Sequence, residues 1–143
     1  MGKQIRITVE GGYEMIADML EDLAPKTCQQ LWDSLPIEDE MLQVKWSGNV
    51  IYVFSKIDLS EAECSRCHGV CIGDMLYNPH VHDAAEHPHE IAFVYGPASM
   101  ATVSGYAISN LFARIQPKYL EQLSKLGDEI STKGLKIAKI ERV

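Results

Sequence analysis

The sequence predicts a mainly β protein, a small closed antiparallel barrel with two or three helices covering its ends. Three observations carry this: two apolar/polar alternating hairpins in the first 54 residues, several further short strand-like runs, and two helices with clear start and stop residues. At 143 residues and 16.0 kDa the chain is read as one domain, 1–143, large enough to bury an ordinary core.

In chain order, Ile5, Ile7 and Val9 alternate with Arg6, Thr8 and Glu10, Gly11-Gly12 permits a tight turn, and Tyr13 to Met19 reads as the return strand. Pro25 suits the first turn of a helix. Cys28, Leu31, Trp32 and Leu35 then recur at helical spacing, and Pro36 stops it. Leu42, Val44 and Trp46 alternate up to Gly48-Asn49, and Val50 to Phe54 returns as a β-branched and aromatic run. Gly73 to Tyr77, Glu90 to Tyr95 and Asn110 to Ile115 are further strand candidates. Pro117 opens a helix with Leu120, Leu123, Leu126 and Ile130 on its buried stripe, Gly134 ends it, and Leu135 to Val143 is a terminal strand.

Composition excludes several classes. A net charge of -7 and a pI near 5.1 leave no basic surface for nucleic acid or an anionic membrane. No run approaches the roughly 18 apolar residues of a membrane helix, and the N-terminus lacks an apolar signal core. The four cysteines, one in a helix and three clustered, do not form a disulfide framework. The expectation is a soluble, cytoplasmic protein.

The stretch 63–90 concentrates the chemistry, with all five histidines and three of the four cysteines. If 79–90 folds back as a hairpin with Pro79 facing Glu90, His82 lies opposite His87 and His80 opposite His89. All four rings then share one face beside Asp83 and Glu86. Neutral imidazoles so placed suit a divalent transition metal such as zinc. The alternative is a solvated loop whose histidines bind nothing. Cys64, Cys67 and Cys71, with His68 or a later histidine, offer a second ligand set. The competing reading makes them packing residues of a short helix started by the capping box Ser60-Glu61-Ala62-Glu63 and stopped at Gly69. Cys-x-x-Cys-His also matches a haem attachment signature, which goes with an exported protein and is set aside.

Two separated segments carry a resemblance. Asp22-Leu23-Ala24-Pro25-Lys26-Thr27-Cys28 resembles the start of the first cyclophilin helix, and Leu111-Phe112-Ala113-Arg114-Ile115 through Gly134 to Ile140 resembles the closing strand, helix and strand. More closely, the chain resembles the bacterial cyclophilin-like proteins of unknown function, through Val44 to Gly48, Gly73 to Tyr77, Ile91 to Gly96 and Asn110 to Ile115. Residues 56–72 and 79–89 look like loop insertions.

The resemblance implies the barrel fold rather than an activity. Cyclophilin isomerases place an arginine on a central strand, where Val50 to Ser55 has none, and their apolar proline pocket is unmatched. Prolyl isomerase activity is therefore not expected. The expected role is binding a small molecule or peptide in a cleft on the outer face, with Trp46, Tyr77, Tyr95 and Asn110 as candidate lining residues. For each the competing reading is plain packing. A metal-binding protein or metal-dependent enzyme built on 64–89, and a residual isomerase, stay open as alternatives. So does homo-oligomerisation.

Overall fold

The computed structural model describes residues 2–79, 90–102 and 105–143. The strands are β1 (Gln4–Val9), β2 (Tyr13–Met19), β3 (Ile37–Gln43), β4 (Gly48–Phe54), β5 (Ser65–Arg66), β6 (Asp74–Tyr77), β7 (Glu90–Ala98), β8 (Ala101–Thr102), β9 (Gly105–Tyr106), β10 (Ser109–Ile115) and β11 (Lys136–Arg142). Two helices, α1 (Pro25–Ser34) and α2 (Leu120–Lys133), complete the fold. The order β2-β1-β11-β3-β4-β7-β6-β10 closes on itself through a β10–β2 pairing, giving an eight-stranded barrel in which every ladder is antiparallel. The barrel that the alternation predicts is therefore present. Two pieces lie outside it: β5 adds to the edge of β10, and β8 pairs with β9 as a separate ribbon.

Alternation decides what faces in. Ile5, Ile7 and Val9, then Met15, Ala17 and Met19, point into one buried cluster with Ile51, Val53, Phe93 and Ile140. Cys28 and Leu31 of α1 and Leu123, Leu126 and Ile130 of α2 join the same cluster. A helix reaches the interior of a closed barrel only through its open ends, so both helices act as plugs. Tyr95 is buried against Gly127, where an added Cβ would run into its ring. Glycine in mid-helix costs about 1 kcal/mol relative to alanine, and here the close approach of an aromatic side chain explains it.

β10 carries a bulge. Its register steps from Leu111↔Leu76 to Ala113↔Met75, so Phe112 is an extra residue and both Phe112 and Ala113 face the interior. The hairpin of β6 and β7 leaves Tyr77 opposite Ile91. Continued by one residue, that ladder sets Asn78, not Pro79, against Glu90, one step from the register assumed in the sequence reading. The capping box at 60–63 starts no helix. The segment instead bends, with a left-handed Cys64 (φ 46°), into the two-residue strand β5.

Candidate functional site on the outer wall

The outer face of β4, β7, β6 and β10 is as apolar as the interior. Val50, Leu76, Ala92, Val94 and Leu111 form a second buried cluster with Met100, and Leu20, Val44, Cys64, Val70 and Ala98 pack on it. This wall lies under residues 63–72. The Cys64 carbonyl accepts from Leu111 N at 3.3 Å and the Cys67 carbonyl from Met100 N at 2.8 Å. Cys71 N donates to Asp74 Oδ2 at 2.9 Å, and Asp74 N returns a bond to the Cys71 carbonyl at 3.0 Å. Asp74 is buried, and its other oxygen accepts from Arg114 Nε at 3.0 Å, so its charge is paired where solvation is lost.

The start of this cover is fixed by a buried polar network. α1 has no side-chain cap of its own at Ala24. Glu63 supplies one from a distance: its carboxylate accepts from Lys26 N (3.1 Å), Thr27 N (2.7 Å) and Thr27 Oγ1 (2.8 Å). Burial pushes the Glu63 carboxyl up, but these donors and the Lys26 charge outweigh it and hold the group below its ordinary 4.5. Asn110, fully buried, ties the network together. Its Oδ1 accepts from Glu63 N (3.0 Å), and its Nδ2 donates to Thr27 Oγ1 (3.2 Å) and to the Glu61 carbonyl (2.9 Å).

The four aromatic and amide candidates are thus dispersed. Tyr77 sits opposite Asn110 across the ladder, buried, with its hydroxyl accepting from Leu59 N (3.2 Å) and donating to the Ile57 carbonyl (3.2 Å). Tyr95 is inside the barrel and donates to Gln43 Oε1. Trp46 stands on the turn between β3 and β4 and is 56% exposed. Asn110 and Tyr77 serve chain-to-chain contacts, and only Trp46 faces solvent.

The metal candidates divide in the same way. His80, His82, His87 and His89 lie outside the described residues. Cys64 and Cys67 are half-buried and Cys71 is exposed, all as free thiols, and no group of three His, Cys, Asp or Glu side chains placed to hold a metal occurs among the described residues. His68 Nδ1 is 3.0 Å from Ser99 Oγ, and its ring meets Tyr106 edge-on at 4.7 Å.

Past the end of the apolar wall, the ladders place a polar row that sequence reading did not identify. Continued by one residue past β6, the ladders set Asn78 between Ser109 and Glu90, and Asn78 N donates to the Glu90 carbonyl at 3.5 Å; Arg66 of β5 lies opposite Ser109 and Phe54 opposite Glu90. Ser109 shares the outward face with Leu111. It is 1% exposed, and its hydroxyl has no hydrogen-bond partner among the described residues. Tyr52 and Phe54, half-buried at the β4 end of the wall, contact edge-to-face at 5.4 Å. Burial, then the charge of Glu90, pushes the Tyr52 hydroxyl above its ordinary 10.0. No local signal marks Ser109 as special, because its environment follows from register alone. Shallow depressions open elsewhere, one of 410 Å³ beside the Gly11-Gly12 turn and one of 330 Å³ beside Leu35 and Pro36.

Comparison with known proteins fits this architecture. The structure of McbB in complex with tryptophan superposes with a TM-score of 0.77 at 17% identity, over 96% of this chain; the chain spans 44% of that protein's length. The solution structure of the hypothetical protein AF2241 from Archaeoglobus fulgidus gives a TM-score of 0.65 at 20% identity, covering 99% of this chain and 95% of that one. At such identities the likeness is one of fold. No curated protein matches the sequence. No helix among the described residues is long and apolar enough to cross a membrane. The family described as protein of unknown function (DUF3830) matches residues 7–141, and the chain belongs to that family.

Proposed function

We propose that this chain is a cyclophilin-like barrel that binds a small aromatic molecule on its outer wall, at the row of Ser109, Asn78 and Glu90 beside Tyr52 and Phe54, and that it does not isomerise prolyl bonds. The observation that carries this is the Ser109 hydroxyl. A buried hydroxyl without a partner costs about 1–3 kcal/mol, a cost that a ligand hydrogen bond recovers. The flanking rings of Tyr52 and Phe54 favour an aromatic ligand. Cyclophilin isomerases carry their arginine on a central strand, whereas β4 presents Val50, Tyr52 and Phe54 outward.

McbB, which shares the fold, has been solved with tryptophan, so L-tryptophan is the first probe, followed by indoles and the other aromatic amino acids. Thermal shift and calorimetry on the unaltered protein and on Ser109→Ala test the reading. The variant is expected to be as stable as the parent or more so when ligand-free, and to bind the active probe about 5- to 150-fold more weakly, the equivalent of 1–3 kcal/mol. A variant less stable by about 1 kcal/mol or more would show that the hydroxyl is already satisfied. A panel in which no probe binds better to the parent than to the variant would remove the site.

A further inference from the structure

Beyond the small-molecule site, three surface segments meet in a face with an unusual charge pattern. They are the β3–β4 turn at 44–49, the cover at 64–72, and the arm at 97–102 and 105–108. Ser99 N donates to the Ser47 carbonyl (3.0 Å), and Ser47 Oγ accepts from Ala101 N (3.0 Å) and donates to the Ala101 carbonyl (3.1 Å). Met100 N reaches the Cys67 carbonyl, and His68 joins Ser99 and Tyr106. The three segments therefore form one continuous surface centred on Ser99–Ala101.

The chain carries 20 Asp and Glu residues, so a surface of this length would ordinarily hold three or four, yet these segments hold none. They carry Lys45, Arg66 and His68 instead. Neither Lys45 nor Arg66 is ion-paired to a carboxylate among the described residues. Large apolar side chains stand out from the same face: Trp46 at 56% exposed, Tyr106 at 73% and Ile108 at 56%. Trp, Tyr and Arg are the residue types that dominate binding energy at protein interfaces.

We propose that this face docks an acidic, aromatic-containing peptide segment of a partner protein, with its carboxylates toward Lys45 and Arg66 and its apolar residues between Trp46 and Tyr106. Charge complementarity argues for a peptide over the other anionic or self partners. Two lysine or arginine charges neutralise too few phosphates to hold nucleic acid on a chain of net charge -7, and that same charge opposes a second copy.

The test is selection of a random twelve-residue phage-displayed peptide library on the full-length protein, followed by fluorescence polarisation of the enriched peptides. Enriched sequences are expected to be net acidic and to contain Trp, Tyr or Phe. Their affinity is expected to fall at least tenfold in Trp46→Ser/Tyr106→Ser, to fall similarly in the charge reversal Lys45→Glu/Arg66→Glu, and to weaken with added salt. All four side chains are exposed or half-exposed, and circular dichroism of both variants checks that the fold is kept. Enrichment of neutral or basic peptides, binding unaffected by either variant, or no enrichment overturns the proposal. So does concentration-dependent dimerisation abolished by the first variant, or a labelled twenty-nucleotide oligothymidylate binding more tightly than any selected peptide. Tryptophan binding should be unchanged in Trp46→Ser/Tyr106→Ser, which separates this face from the small-molecule row.

Discussion

Replacing Asn110 with alanine tests whether the cover over the outer wall is held by the barrel rather than merely resting on it. Three hydrogen bonds end on this fully buried amide, to Glu63 N, Thr27 Oγ1 and the Glu61 carbonyl. Each contributes a net 0.5–1.5 kcal/mol, and the variant leaves the Glu63 N–H unpaired in a part-buried position. The summed loss is about 3 kcal/mol, which at this chain length lowers Tm by roughly 6–12 °C. Urea denaturation followed by fluorescence measures it. Native-state hydrogen exchange locates it: amides of 63–66 should lose protection while those of β1 and β11 change only by the global amount. A loss below about 1 kcal/mol, or equal loss of protection everywhere, would refute the view that Asn110 clamps the cover.

Other outcomes follow from the same geometry. Because the Glu63 carboxyl is held below 4.5 in the folded chain, its contribution is present above that value and is lost as pH falls through the lower folded one; Glu63→Gln should therefore be less stable than the parent at pH 7 and converge with it in acid, as paired urea titrations across pH would show. Gly127→Ala should destabilise by about 1–3 kcal/mol despite its better helix propensity, because the new methyl meets the Tyr95 ring, and Tyr95→Leu in the same chain should recover part of that loss in thermal melts. Thiol titration at pH 8 should label Cys71 first and Cys28 only on unfolding, since burial and then the charges of Glu21 and Glu63 push the Cys28 thiol up to about 12. A standard peptide assay should show no acceleration of prolyl isomerisation over the uncatalysed exchange of tens to hundreds of seconds.

Strands with one wet face were legible because their period is visible. In Gln4–Val9 and Tyr13–Met19 the buried residues alternate with exposed or half-exposed ones, and both strands match their predicted ranges to within a residue. Along β6 and most of β7 both faces are buried, one by the interior and one by the cover, so alternation vanishes. That is why Tyr77 and Tyr95 read as cleft residues when both are inner-facing. Two-residue strands such as β5, β8 and β9 have no period at all. The capping box failed for a related reason: Glu63 does cap a helix, but one whose capped amides lie 36 and 37 residues earlier in the chain. Ser109 became notable only when register placed it outward, with no partner for its hydroxyl among the described residues.

One edge of β10 is divided between two tasks. Ala113 to Ile115 bind β2 and complete the ring, while Ser109 and Asn110 bind β5 and hold the cover. The two halves meet at the Phe112 bulge, whose carbonyl accepts from Leu20 N at 2.7 Å. A cover that lifts consequently unzips only the first half of the edge and stops at the bulge, leaving the ring closed. The length of backbone laid bare is two residues of β10 opposite two of β5, too short to recruit a strand from another molecule. Losing the cover would therefore bare the apolar wall of Val50, Leu76 and Leu111 but no long strand edge.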